Sequence, residues 1–418
     1  MKTEWSSRLR VTAAGRVLAI AALGLVIAAS ANATENILFS FTGANGGAPD
    51  GTLIFDSEGN LYGTSVESAT NANCPYGCGV VFELTPSAGA WTETILHQFT
   101  GGDDGVNPYS GLVFDSHGNL YGTTFFGGGT DCTDPYGDEG CGIVFMLSPS
   151  GGGDWKETVL YRFKGGDDGS GPFAEVIFDS HGNLYGTTLN GGNPNCVCGT
   201  VFKLTPKSSG GWKKTILHVF AFGDNEGQNP YGTLVFDKGG NLYGTTYGGG
   251  NYGTVFQLAP VEMGVWRFKL IHVFEGGPDG GDPYAGLILD AHGNLYGTTA
   301  STAFELTPNG DDAWTETVLY FFGDGTQFPT APLVFDKDGN LYGTCLYGGP
   351  DQGDEGAVFK LTKLRSGAWS EKDILGFSGS NGYYPYYAGL IFDSKGDLYG
   401  VTSAGGSAND GVVFEIIP

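Results

Sequence analysis

Positive charge is scarce in this chain. Twenty lysines and arginines stand against 45 aspartates and glutamates among 418 residues, a net charge of −25. The imbalance excludes nucleic acid and anionic membranes as partners, because both repel an acidic surface. Long apolar runs are rarer still. The one present, "VLAIAALGLVIAA" from Val17 to Ala29, spans roughly 20 Å as a helix, short of the ~30 Å of a hydrocarbon core. It follows Lys2, Arg8, Arg10 and Arg16 and precedes Ala31-Asn32-Ala33, the three parts of a secretory signal peptide. We therefore expect residues 1–33 to be a leader and the mature chain to begin at Thr34 with a net charge of −28. With no further apolar run and no tail after "VFEIIP", no membrane insertion is expected after cleavage. Catalytic signatures are missing too. No G-x-S-x-G, H-E-x-x-H, P-loop or D-x-[DN]-x-[DN]-G calcium loop occurs. No cofactor or metal is expected on this ground, calcium through scattered oxygen ligands being the one exception left open.

What is abundant is glycine, 74 residues, with 13% aromatics and an ordinary apolar fraction. That is the composition of short strands joined by glycine turns, not of disorder. The segment "DSHGNLYGTT" at Asp115 returns at Asp179 and, one letter changed, at Asp290. Aligned on its glycine, the motif occurs seven times, at Gly59, Gly118, Gly182, Gly240, Gly293, Gly339 and Gly396. Spacings of 46 to 64 residues point to a propeller or a solenoid. Each unit reads as four strands, of the types "GLVFD", "NLYGTT", "GTVFQL" and "WTETILHQF". The aspartate of Asp-x-x-Gly-Asn is the cap of a tight turn, with glycine in the left-handed position.

The ends choose between the two architectures. "ENILFSF" (Glu35 to Phe41) has the pattern of a fourth strand, and "GVVFEIIP" is a third strand that no fourth follows. In a ring the N-terminal strand completes the last unit and covers its edge. The sequence thus predicts an all-β, seven-bladed propeller of four-stranded blades over residues 34–418, closed one-plus-three. Trp91, Trp155, Trp212, Trp266, Trp314 and Trp369 open six fourth strands and fill the wide outer gaps between blades. Segments such as "GLVFDSHGNLYGTTFFGGG" and "GIVFMLSP" resemble the Gloeo/Verruco ("GloVer") tandem repeat of exported bacterial proteins. The resemblance covers essentially the whole mature chain and implies a propeller and export. It implies no particular activity, and this chain is expected to lack the C-terminal surface anchor common in that family.

Loop-length variation falls on one face, where fourth-to-first and second-to-third connections meet, and binding usually resides in such loops. The former are acidic, with Asp103, Asp104, Asp167, Asp168, Asp224, Asp279 and Asp282, and are expected to crowd the channel mouth. They end in proline followed by an aromatic residue at Tyr109, Phe173, Tyr231, Tyr284 and Tyr386, a series broken at Asp50 and Thr330. Rings beside carboxylates suit a carbohydrate, while packing between tapering blades is the alternative reading of the same column. The six histidines occupy only two repeat positions, where Tyr, Gly, Glu, Asp or Lys replace them. A catalytic histidine is singular, so none is assigned. Glu175 in "FAEVIF" is the one polar outlier, standing where other units have Gly, Thr or Pro.

Three cysteine pairs, Cys74/Cys78, Cys132/Cys141 and Cys196/Cys198, are expected to pin loops as disulfides in an exported protein, with Cys345 left over. Such short bridges are expected to shape a surface more than to stabilise the core. Together these features predict a monomeric, non-enzymatic binding protein for a carbohydrate or an extracellular protein. The competing expectation is a hydrolase or lyase, calcium-assisted, with acids at the channel mouth.

Overall fold

Each Asp-x-x-Gly-Asn segment closes a hairpin through its aspartate. In the second copy, Asp115 Oδ1 accepts from the backbone N–H groups of His117 (2.8 Å) and Asn119 (3.0 Å). Its Oδ2 accepts from Asn119 Nδ2 (2.7 Å) and Tyr121 Oη (3.0 Å). Gly118 takes φ 80°, as the turn requires. The same bonds recur at Asp56, Asp179 and Asp237. These carboxylates are therefore consumed by structure.

The computed structural model describes residues 33–418 except 69, 71–73, 75–76, 130–131, 133–139, 224–225, 311–312, 324–326 and 349–354. The expected leader, up to residue 32, and Asp224 lie outside the described residues. Among the described residues the hairpins extend into seven four-stranded antiparallel sheets, the blades of a propeller. Blade two, for example, consists of Val113–Phe114, Leu120–Thr124, Ile143–Gly151 and Asp154–Arg162. Blades one and three to six span 54–98, 177–219, 235–273, 288–321 and 334–376. Blade seven takes Ile391–Phe392, Leu398–Thr402 and Val412–Ile417, and its outer strand is β1, Thr34–Ser40. The register runs from Thr34 opposite Ile417 to Ser40 opposite Val412. The one-plus-three closure is thus observed.

Inner strands are shorter than the sequence suggests. Instead of Gly111 to Asp115, only Val113–Phe114 pairs within its blade. The residues before it are engaged by the neighbouring blade, since Thr64 Oγ1 donates to Ser110 O at 2.7 Å. Thr245 repeats the bond to Ala285 O at 2.8 Å.

The core lies between blades rather than within them. Tyr121, Val144 and Phe163 of blade two pack with Leu184, Phe202 and Leu204 of blade three, and other joints repeat this arrangement. The tryptophans do bridge joints, Trp155 standing edge-on to Tyr62 and Trp212 to Tyr121.

The three cysteine pairs are bonded as expected, Cys74 to Cys78, Cys132 to Cys141 and Cys196 to Cys198. Their placement corrects the surface role expected of them. Cys141 is only 1% exposed and belongs, with Cys132, to the core cluster that holds Val144 and Phe163. Cys78 and Cys198 are fully buried in the corresponding clusters of their joints. The backbone is the cause. Each of these three residues precedes the glycine that leads into a third strand, and its carbonyl accepts an N–H from the next blade's loop. The donors are Asn107 to Cys78, Gly171 to Cys141 and Asn229 to Cys198. The bridges therefore seal joints. Cys345 is fully buried too, and burial holds its thiol well above the usual range. Among the described residues no helix is long and apolar enough to cross a membrane.

Candidate functional site

The two kinds of variable loop meet on one face, as their length variation implied. Val106 bridges to Phe126, Ser170 to Asn190, Gln228 to Gly248 and Tyr383 to Ala404, each linking a fourth-to-first loop with a second-to-third loop. The chain then turns inward through a proline. Asn107, Asn229 and Asp282, each just before that proline, hold φ near 55°. Their N–H groups donate to carbonyls of the preceding blade, at Cys78, Cys198 and Tyr252. This fixed turn aims the next side chain at the axis.

Four of the five expected aromatics arrive there. Tyr109 stacks on Phe173 at 5.1 Å, Phe173 meets Tyr231 at 5.2 Å, and Tyr231 meets Tyr284 at 5.4 Å. The fifth ring is Tyr387, not Tyr386, and it lies 4.9 Å from Phe173 and 6.1 Å from Tyr284. Blade seven carries one extra residue after its proline. Tyr387 stands three places before Leu390, as Tyr109 stands before Leu112. Tyr386 packs edge-on against Tyr387 at 4.2 Å, with its carbonyl accepting from Thr330 Oγ1. All five axial rings are half-buried. Burial, with the nearby Asp50 and Glu67 carboxylates, raises the Tyr109 phenol to about 12.

Beneath the rings lies a cavity of about 40 Å³, reached by Glu175, Thr52, Gly111, Thr233 and Asp50. The outlier Glu175 crosses from blade three toward blades one and two, accepting from the Thr52 hydroxyl and the Gly111 N–H. A Cβ at position 111 would stand 2.2 Å from its Oε1, so glycine there makes room for the carboxyl. Burial pushes Glu175 up to about 7. Asp50, in the aromatic column of blade one, is buried, accepts from Ser403 Oγ and is pushed up to about 6. The site therefore offers two carboxyls poised near neutrality under an aromatic lid. The cavity holds water-sized guests, not a sugar ring.

Among the described residues, the loop aspartates other than Asp282, which acts on the Tyr284 phenol, do not crowd the channel mouth. Asp103 and Asp167 are exposed, and Asp282 is half-buried beside its proline. Asp104, Asp168 and Asp279 turn outward. Each accepts from the backbone N–H just after the end of a fourth strand, at Thr100, Lys164 and Glu275. Each also reaches a residue of that strand, His97, Tyr161 or His272. The cause is local: an acid five residues after the phenylalanine that ends a fourth strand caps that strand's orphan N–H.

This turn brings together a column that the sequence reading did not single out. The third residue of "WTET" and its equivalents, in the next blade's outer strand, faces the loop acid across the joint. Glu157 faces Asp104, Lys214 faces Asp168, and Glu316 faces Asp279. Lys214 Nζ lies 3.1 Å from Asp168 Oδ1 and over the faces of Phe163 and Tyr161. Where the loop offers an amide instead, Asn45 Nδ2 donates to Glu93 at 2.7 Å and Asn381 Nδ2 to Glu35 at 2.8 Å. Burial, together with the opposed aspartate, pushes Glu157 up to about 7 and Glu316 up to about 9. His218 stacks on Phe268 at 3.9 Å, and burial pushes it down to about 4. The recurrence of Glu in that column was the available signal.

Fold and loops define a seven-bladed propeller whose loop face converges on an aromatic axis. Residues 132–303 match the Gloeobacter/Verrucomicrobia repeat. No curated protein matches it. Among solved structures, a protein from Lactobacillus plantarum aligns with a TM-score of 0.53 at 13% identity, over 81% of this chain and 95% of the other. PorZ, a surface component of the type-IX secretion system of Porphyromonas gingivalis, gives 0.52 at 17% identity, over 91% of this chain and 47% of its own. A candidate 6-phosphogluconolactonase from Bacteroides uniformis gives 0.51 at 12% identity, over 77% and 84%. At such identities the likeness is one of fold.

Proposed function

We propose that the protein is an exported, monomeric binding module whose loop face holds an extracellular polymer, a glycan foremost, against the axial rings. The observation that supports this reading is the convergence of Tyr109, Phe173, Tyr231, Tyr284 and Tyr387 from five blades onto one half-exposed surface. Aromatic faces stack on the C–H faces of sugars, and the carboxylates that act on the rings, Glu67 near Tyr109 and Asp282 near Tyr284, accept from hydroxyls. Three loop disulfides and the acidic surface suit an extracellular setting.

A hydrolase is the second reading. Glu175 and Asp50, both raised toward neutrality in one cavity, are what favours it. Its weakness is room, since about 40 Å³ beneath the rings admits water but no scissile bond. A glycan array probed with residues 34–418, with and without a chelator, tests both. Binding by the wild type that falls stepwise through Tyr109→Ala, Tyr231→Ala and their combination is expected, with Glu175→Gln unaffected. Absence of any polysaccharide ligand, or undiminished affinity in the double variant, removes the binding proposal. Turnover abolished by Glu175→Gln would put the hydrolase in its place.

A further inference from the structure

Among the described residues, the loop-to-blade contacts at the joints follow one electrostatic rule, and two joints depart from it. At each joint described above, a loop side chain caps an outer-strand N–H or presents its polar atoms to the next blade. Opposite a glutamate the loop offers an asparagine, whose amide donates (Asn45 to Glu93, Asn381 to Glu35). Opposite an aspartate, blade three offers the Lys214 ammonium. Opposite Glu226, blade four offers the neutral ring of Phe268, stacked on His218. Donor meets acceptor, or charge meets countercharge, or one acid stands alone.

At two of the described joints a loop acid meets an acid of the next blade, whereas Glu371 in blade six meets Asp373 of its own strand. Asp279 faces Glu316 between blades four and five, and Asp104 faces Glu157 between blades one and two. Both pairs have a histidine beside them, His272 and His97. Arg162 also acts on Glu157, but as the least of the influences on that carboxyl. Such a pair of half-buried acids is costly without a proton or a cation between them. His272 Nε2 and Glu316 Oε1 are shielded from solvent without a hydrogen-bond partner, as is Glu157 Oε1. What this set of donor atoms suits is a cation.

We propose that these two joints bind a divalent transition-metal ion of the zinc class. His272, Asp279 and Glu316 hold one ion, and His97, Asp104 and Glu157 hold the other. In each cluster one ligand atom per residue lies within 4.8 Å of the others. His272 Nε2 is 3.6 Å from Asp279 Oδ2 and 3.8 Å from Glu316 Oε2. Ligands at zinc–ligand distances on a tetrahedron stand about 3.4 Å apart, close to this arrangement. In the other cluster His97 Nε2 and Asp104 Oδ1 are 3.0 Å apart. The imidazole selects against calcium and magnesium, which take oxygen ligands, and for zinc and its neighbours. Three protein ligands leave one position for water. Because the ligands come from two blades, the ion acts as a rivet across the joint, remote from the axial rings.

The test is zinc stoichiometry on the whole mature chain. After chelator treatment and dialysis, titration with zinc chloride is followed by calorimetry, and bound metal is counted by mass spectrometry. Two tight equivalents are expected in the wild type, one in Glu316→Gln, one in Glu157→Gln and none in the double variant, with calcium chloride giving none of these. A second readout separates binding from misfolding. In chelator the double variant melts at or above the wild type, because glutamine relieves the acid pair, while zinc raises the melting temperature of the wild type and leaves the double variant unmoved. A wild type without stoichiometric zinc overturns the proposal. So does a stoichiometry that the glutamine variants leave unchanged.

Discussion

Removing β1 is the sharpest perturbation of the ring. It pairs Thr34 through Ser40 with Val412–Ile417, and the chain then buries Phe41 completely. The Phe41 ring stands edge-on to Phe82 of blade one at 5.2 Å and to Phe39 at 5.1 Å. Truncating a buried phenylalanine to alanine costs ~3–5 kcal/mol. Deleting residues 34–41 removes that contact, the outer strand of blade seven and the seam between blades seven and one. Set against a net stability of about 5–15 kcal/mol, the contact at Phe41 alone is a large share. The deletion also bares the edge of Val412–Ile417, which invites pairing with other chains. The expected result is a urea midpoint well below that of residues 34–418, with oligomers in gel filtration. A peptide of residues 34–42 added in excess should restore both by refilling the gap. A truncated chain that stays monomeric with an unchanged midpoint would refute the closure.

The carboxyls carry two pH predictions. Burial works to raise the turn aspartates Asp56, Asp115, Asp179, Asp290 and Asp336, but their hydrogen bonds win and hold them below the ordinary range. A depressed folded value means stability is present above the ordinary carboxyl range and is lost as pH falls through the folded values. Denaturant midpoints should therefore drop steeply toward pH 3, and Asp115→Asn should flatten part of that slope. Glu175 has the opposite sign: burial raises it to about 7, so ionising it above that pH costs stability. Glu175→Gln should stabilise the protein at pH 8 by at most about 3 kcal/mol and change little at pH 4. A gain equal at both pH values would mean that the carboxyl is not buried as described.

Blade number, blade register and the closing strand were all legible in the sequence. Their determinants are local: Asp-x-x-Gly-Asn satisfies its own turn, and strands that alternate at short range find partners a few residues away. Counting third and fourth strands then sufficed to place Thr34–Ser40 beside Val412–Ile417. The axial column was legible only in part. Counting forward from Pro385 picked Tyr386, whereas the ring position is fixed by the pairing that follows, and this selects Tyr387. The direction of Asp104, Asp168 and Asp279 was misread because composition suggested a rim, while the backbone N–H just after each fourth strand holds the acid outward. Glu157 and Glu316 went unnoticed for a related reason. Their partners lie in the loop of the preceding blade, and only blade-to-blade packing brings the two together. The cysteines divide the same way. Short spacing was enough to pair Cys132 with Cys141, but the burial of Cys141 comes from the next blade's loop, through the Gly171 N–H on its carbonyl. The burial of Cys345 likewise depends on neighbouring strands rather than on its own segment. Short-range hydrogen bonding is written along the chain, but which charges face each other across a joint is decided only when the ring closes.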